Sequence, residues 1–316
     1  MRIFNLKTHL VCIFFFVCIT LPFYGETMNK HDLIINDLTK TLSPHPFMIP
    51  ESQVREITKH YKLHVEELLQ ILVPVARSYA RPPISNYKAA AVALGKSGNI
   101  YLGVNLEFLS VPLNEAIHCE QFAITNARAH QEREIVAIAL SAAPCGHCRQ
   151  FLNEMAGSEN LRILTPDSET LLLSSLLPKS FGPQDLGLSG DLLTVTHDEA
   201  SSSSLIDKAV QAALASYAPY SKSKSAVVLK TKNGAIYTGS YLENVAFNPS
   251  ISPLQAALIL LVANGLEYSD ITEALLVEER SAKISQEVMS REILRTIAPD
   301  ALFRIKKVDS LCAKIP

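Results

Sequence analysis

His118, Cys119 and Glu120 stand in a row, and 24 residues after Glu120 comes Pro144-Cys145-Gly146-His147-Cys148. One imidazole and two thiolates suit a borderline-soft cation such as Zn²⁺. Three protein ligands leave the fourth tetrahedral position to water, as in a catalytic rather than a structural site. Glu120 lies two residues from His118 and is not needed as a ligand, so its carboxylate is available to take a proton from that water and return it. Either motif alone is weak. A lone His-x-Glu is usually a surface accident, and a lone Cys-x-x-Cys is equally a redox dithiol or a pair of core thiols. In order, one per helix and each after a strand, they are far more specific.

The surrounding pattern supplies those elements. Helical spacing marks Asn29–Thr41, Glu51–Ala76 with Pro50 and Ser52 as start signals, and Asn114–Ala129. Ala89–Leu94 and Ile100–Val104 read as a hairpin across Lys96-Ser97-Gly98-Asn99. Glu134–Ala142 is a buried strand, Gly146–Met155 a helix and Leu161–Leu164 another strand, an alternation that implies a parallel portion in the sheet. His118 and Glu120 then fall early in one helix, and Cys145 and Cys148 at the start of the next. A helix N-terminus favours thiolate, and Pro144 suits a first turn. Cys119, about 100° around the helix from His118, is expected in the core. His147 is expected to face solvent or a partner.

The chain has 316 residues, 48% hydrophobic and 19% charged, enough for two packed domains. Its 29 Lys and Arg against 31 Asp and Glu give net charge −2, without the basic surplus that nucleic-acid binding usually requires. Six cysteines form no evident disulfide set. Leu10–Leu21 is an apolar run preceded by Arg2 and Lys7, like a secretory signal but short for a membrane span. Phe23 spoils cleavage after Gly25, and Val17 spoils a lipoprotein site at Cys18. Met28 is an alternative start. Thiolate ligands favour the cytoplasm, with export as the alternative.

The chain repeats itself. Ser78-Tyr79-Ala80 recurs as Ser216-Tyr217-Ala218, Gly98–Gly103 as Gly234–Gly239, and Leu106-Glu107 as Leu242-Glu243. Pro178–Gly190 and Thr196–Ser204 are rich in turn-forming and polar residues and read as a linker. The expected units are an N-terminal extension (1–27), a helical segment (28–63), a catalytic domain (64–184), a linker (185–204) and a degenerate second copy (205–316). Aligning the copies by sequence sets Pro253 opposite His118 and Gln255 opposite Glu120, and the only cysteine after residue 148 is Cys312. The second copy therefore has no ligand set.

His-x-Glu followed by Pro-Cys-x-x-Cys is the zinc-deaminase signature, and from about Met28 onward the chain resembles the long, two-copy cytidine deaminases of bacteria and plants. The resemblance rests on Pro144–Phe151, Asn105–Phe108, Ser85-Asn86-Tyr87, Phe181–Gly187, Pro219–Lys222 and Glu243–Pro249. It departs at Cys119, where the family usually has Ala. The resemblance implies an α/β fold, a mixed sheet between helices in three α/β/α layers, duplicated behind a small N-terminal helical segment. It implies one Zn²⁺ per chain on His118, Cys145 and Cys148, with Glu120 as proton shuttle. Asn105, Leu106 and Glu107 would bind ribose, Tyr87 would pack on the pyrimidine, and Phe181 would reach a partner's site in a homodimer. Implied substrates are cytidine and 2′-deoxycytidine. Nucleic acid is not expected as a partner, nor is a stable membrane partner. Without the resemblance, Asn105 and Glu107 read as a solvated turn, and Tyr87 and Phe181 as core aromatics. A neutral Gln121 beside an uncharged metal–ligand set is consistent with one His and two Cys, where three-cysteine relatives carry Arg. A nucleic-acid-editing deaminase and a non-enzymatic zinc or thiol protein are the alternatives: the first needs a basic groove, the second has no use for Glu120.

Overall fold

The structure is a computed structural model and describes residues 30–42, 47–166, 169–195 and 204–311. The N-terminal extension and Cys312 lie outside the described residues. Among the described residues no helix is long and apolar enough to cross a membrane.

Helix α1 (Lys30–Thr41) follows expectation. The single helix expected over Glu51–Ala76 is two, α2 (Glu51–Tyr61) and α3 (Val65–Arg77). Lys62 breaks them in the left-handed region (φ 53°), and Leu63 N–H closes back onto Thr58 O at 3.0 Å. Apolar spacing runs unbroken through the turn because Val54, Ile57, Leu68 and Leu72 enter the same core.

The first sheet comprises β1 (Met48–Ile49), β2 (Ala90–Gly95), β3 (Ile100–Val104), β4 (Ile135–Leu140), β5 (Arg162–Leu164) and β6 (Leu171–Leu172), in the order β1-β3-β2-β4-β5-β6. β2 and β3 form the expected antiparallel hairpin, turning at Gly98 (φ 87°). β4 and β5 are parallel, joined through α5 (Gly146–Leu152). The helix expected from Asn114 starts later: a 3₁₀ turn (Leu113–Glu115) precedes α4 (Cys119–Ala129). Ile117 instead pairs with Leu106 in a β-bridge, which holds the chain extended up to His118. After α6 (Leu173–Leu176) the supposed linker is packed. Leu192 and Leu193 are buried, and the Arg128 guanidinium donates to Leu192 O at 2.6 Å and Thr194 O at 2.8 Å. A run of polar and turn residues concealed two apolar anchors; residues 196–203 lie outside the described residues.

The second copy contains α7 (Leu205–Leu214), β7 (Ser225–Thr231), β8 (Ile236–Ser240), α8 (Pro253–Ala263), β9 (Ile271–Glu279), α9 (Glu287–Ile297) and β10 (Leu302–Val308). Its sheet runs β10-β9-β7-β8, with β9 and β10 parallel. The duplication extends to irregularities. Both sheets shift register at matching places, Leu94/Gly95 and Lys230/Thr231. The bridges Arg81–Leu106–Ile117 recur as Tyr217–Leu242–Ile251. In each copy one helix (α3 or α7) covers one sheet face and a second (α4 or α8) covers the other, and α4 and α8 pack together between the sheets.

The glycines fix how the copies correspond. A Cβ on Gly103 would lie 2.2 Å from Cys119 O and 2.4 Å from Ala123 N; one on Gly239 would lie 2.2 Å from both Pro253 O and Ala257 N. Only glycine permits this approach of strand to helix. Pro253 is therefore the counterpart of Cys119, not of His118. Ser252 stands at the place of His118, Leu254 at that of Glu120 and Gln255 at that of Gln121. The alignment by sequence is one residue out, because it matched Gln to Glu by similarity where the backbone matches Gln to Gln.

Candidate active site

His118 is the residue that opens α4, with extended backbone (φ −81°, ψ 154°), and Cys145 opens α5 in the same way (φ −69°, ψ 166°). The starts of the two helices meet beside the start of β2 and the end of β4, two central strands. Cys148 Sγ lies 3.2 Å from His118 Nδ1, Cys145 Sγ lies 3.6 Å from the same nitrogen, and the two sulfurs are 3.6 Å apart. Among the described residues this is the one group of three or more such side chains able to hold a metal ion. Tetrahedral zinc bonds of about 2.3 Å to sulfur and about 2.0 Å to nitrogen place ligand atoms roughly 3.5–3.8 Å apart. The donor set and its spacing fit Zn²⁺.

The electrostatics favour a charged pair of ligands. Hydrogen bonds from Cys148 and His118 hold the Cys145 thiol down to about 3. The hydrogen bond to Cys145, and then burial, push Cys148 up. The Cys145 contact raises His118 despite its burial. The proton kept on Cys148, and any charge-bearing proton on His118, must leave before a cation binds two thiolates and a neutral imidazole.

A cavity of about 290 Å³ opens over these atoms. His118, Glu120, Cys145, Asn105, Glu107 and Tyr87 all line it. Glu120 is buried, and the Cys119 thiol donates to its Oε2 at 3.1 Å. Cys119 is buried, as expected, but it also lines the cavity and its sulfur bears directly on the carboxylate. Asn105 Oδ1 accepts from Ala89 N–H at 2.8 Å while its Nδ2 donates to Tyr87 O at 2.9 Å. The Glu107 carboxylate accepts from the amides of Ile84 and Ser85, both at 2.9 Å, and from the Ser85 hydroxyl at 2.6 Å. Burial opposes its ionisation, but the bonds from Ser85 and Ile84 prevail and hold its carboxyl below the usual range. Tyr87 is half exposed at the rim.

Three expected residues do not line the cavity of this chain. Cys148 is buried, its sulfur meeting His118 and Cys145. Leu106 is fully buried, and it serves through its backbone: its amide and carbonyl pair with Ile117 at 2.9 Å and so fix the approach to His118. Phe181 is half exposed away from the cavity, and its carbonyl accepts from Gln150 and Asn153.

The surroundings of three residues are more specific than the sequence indicates. His147 is half buried: its ring stacks on His118 with centroids 4.8 Å apart, and among the described residues its buried Nε2 has no hydrogen-bond partner. Gln121 reaches a ligand residue through its backbone. Its Oε1 accepts from His118 N–H at 3.0 Å and its Nε2 donates to Pro249 O of the second copy at 2.9 Å. The contacts of Glu107 are not those of a solvated turn. Glu243, its counterpart beside no metal ligands, accepts from the amides of Tyr220 and Ser221 and the Ser221 hydroxyl in the same pattern, so this latch belongs to the fold in both copies.

The support behind α5 is not legible in the sequence. Glu154, fully buried, accepts from the hydroxyls of Tyr217 and Tyr220 and from Val245 N–H, while Asn244 Nδ2 donates to Gln150 O at 3.0 Å. The second copy thereby grips the helix that carries Cys145 and Cys148.

Comparison with known proteins agrees with this geometry. Two family models, both described as the cytidine and deoxycytidylate deaminase zinc-binding region, match residues 64–163 and 173–291. A cytidine deaminase of Shewanella sp. (strain W3-18-1) is 42% identical over 84% of this chain and 90% of its own length. Cytidine deaminase 1 of Arabidopsis thaliana is 41% identical over 82% of this chain and 96% of its own. The crystal structure of cytidine deaminase from Mycobacterium tuberculosis, 28% identical, covers 37% of this chain and 97% of that one at a TM-score of 0.35. With two matched deaminase regions and full-length relatives above 40% identity, the chain belongs to the cytidine deaminase family.

Proposed function

We propose that the protein hydrolyses cytidine and 2′-deoxycytidine to uridine and 2′-deoxyuridine, releasing ammonia, as a step in pyrimidine salvage. The observation that carries the reading is the convergence of His118, Cys145 and Cys148, with ligand atoms all within 4.8 Å of one another, beside a buried Glu120 on one cavity. His118, Cys145 and Cys148 hold one zinc per chain, which supplies Lewis-acid activation of water at neutral pH. Glu120 takes a proton from the attacking water and delivers it to ring N3, then takes the proton of the new C4 hydroxyl and passes it to the amine, which leaves as ammonia while the C4 carbonyl forms. Asn105 and Glu107 receive the sugar hydroxyls, and Tyr87 lies along the base. The negative charge of Glu107 disfavours an added phosphate, so the substrate is a nucleoside.

Residues 64–184 form the catalytic unit and 205–316 the unit that holds it, with no turnover of its own. Ser252, Pro253 and Leu254 stand where the first copy has His118, Cys119 and Glu120, and they offer neither the metal ligand nor the proton shuttle. The chain pairs as a two-fold homodimer, with Phe181 reaching the partner's cavity. That arrangement is supported by an exposed Phe181 outside its own cavity and a half-exposed Tyr87 at the rim. Reduced thiol ligands suit the cytoplasm. The test is the loss of cytidine absorbance with purified protein, before and after chelation. Absence of chelator-sensitive turnover overturns the reading.

A further inference from the structure

A second and larger cavity, of about 460 Å³, lies between the two copies, far along α4 from His118. The duplication shows what is unusual about it. In the first copy, β1 pairs along the edge of β3, and Asn126 Nδ2 donates to Phe47 O at 2.7 Å. Phe47 and Ile49 share one core cluster with Ile259, Val262 and Ala263 of α8. In the second copy β8 is the edge strand, and among the described residues no strand pairs with its outer side. The positions of α4 equivalent to Ile259, Val262 and Ala263 are Thr125, Arg128 and Ala129, and all three line the cavity. Where one seat is apolar and filled by the chain, its counterpart carries a hydroxyl and a cation.

Those two groups call for a ligand. Arg128 is 5% exposed, and its guanidinium donates to three neutral carbonyls, Leu192 O, Thr194 O and Ala215 O at 2.6, 2.8 and 2.5 Å. Among the described residues no carboxylate pairs with it, and burial pulls its pKa down to about 10. A buried charge without an opposite charge is costly. Thr125 Oγ1 is buried, and among the described residues it has no hydrogen-bond partner. Lys208 lines the same space, and among the described residues no Asp or Glu does. Ile236 and Leu260 give it apolar walls.

We propose that this cavity binds a small organic phosphate the size of a nucleoside monophosphate, its phosphate toward Arg128 and Lys208 and its apolar part against Ile236 and Leu260. Two cations and a free hydroxyl match the two charges and the acceptor oxygens of a phosphate monoester. The volume lies within the range of about 300–1,000 Å³ usual for ligands of that size. Because the site bridges α4 and α7, occupancy raises the stability of the folded chain by mass action.

Calorimetric titration of the full-length, metal-loaded protein tests this, with uridine 5′-monophosphate, orthophosphate and uridine as probes. With saturating uridine present to fill the catalytic cavity, uridine 5′-monophosphate is expected still to bind. Lys208→Glu should weaken that binding at least tenfold and Thr125→Val less, both with cytidine turnover unchanged. Orthophosphate should bind more weakly, with the same dependence on Lys208. Absence of binding beyond uridine's, or equal affinity in Lys208→Glu, overturns the proposal. Orthophosphate binding as tightly as the nucleotide overturns the claim for an organic ligand. Failure here leaves the deamination reading intact, since neither Lys208 nor Thr125 lines the catalytic cavity.

Discussion

Gln121 and Gln255 are reciprocal arms across the junction between the copies. Each accepts a hydrogen bond from the backbone N–H of the residue that opens its own helix, His118 at 3.0 Å and Ser252 at 2.8 Å. Each then donates to a carbonyl of the other copy, Pro249 O and Glu115 O, both at 2.9 Å. The residue next to the expected proton shuttle is thus a structural joint, and the mate of His118 in the second copy is held by the same device.

Gln255→Ala should destabilise the protein by about 1–3 kcal/mol, since it leaves a buried donor and acceptor unpaired, with little loss of zinc. Gln121→Ala should cost a similar amount and also lower zinc affinity, because it releases the amide of His118. Urea denaturation and metal content of both variants check this; equal zinc retention would show that the cap does not orient the imidazole.

Glu120→Gln should keep zinc and fold normally while kcat falls by about 10²–10⁴ or more, the usual worth of a general acid–base group. Its cavity neighbours do not replace it: Cys119 is a weak donor already spent on Glu120, and Glu107 is held on Ser85. Turnover near that of the parent protein would reject the assigned role.

Native mass spectrometry should find one tightly held zinc per chain, lost in Cys145→Ala and in Cys148→Ala. Two tightly held ions per chain would require a second ligand set, which Ser252, Pro253 and Leu254 do not provide.

Stability should fall at alkaline pH. Burial pushes Tyr241 and Tyr268 up to about 12, against about 10 for an unfolded tyrosine. Between those values the native state binds more protons than the unfolded chain, so the contribution is complete below about pH 10 and disappears as pH rises through 12. Urea midpoints measured from pH 8 to 11 should decline above pH 10, with tyrosinate absorbance appearing only on unfolding. A midpoint that holds or rises over that interval contradicts this.

Much of the site was legible because its chemistry depends on residue type. A His, two Cys and a Glu at those spacings have few other uses together, and strand and helix periods located the elements that carry them. The duplication was legible for a similar reason, since the turn at Gly98 and Gly234 demands positive φ in both copies. What was hidden depended on contacts distant in the chain. The break at Lys62 has neither Gly nor Pro to mark it. The late start of α4 follows from the pairing of Ile117 with Leu106, and the true mate of Cys119 follows from the close approach of Gly239 to Pro253. Glu154 gave no sign that it would be satisfied by Tyr217 and Tyr220, more than sixty residues later.

The reciprocal glutamines also impose an order of events at the ribosome. All three expected ligands have been synthesised by Cys148, but Pro249 follows 101 residues later and Gln255 107 residues later. At about 5–20 residues per second that interval lasts roughly 5–20 s. Through it, the nascent first copy carries a finished set of thiols and imidazole while Gln121 and Glu154 still lack their distant partners. Metal capture and completion of the scaffold are therefore separated in time, and the emerging chain depends on a reducing environment and on protection of its uncovered α4 face until the second half arrives.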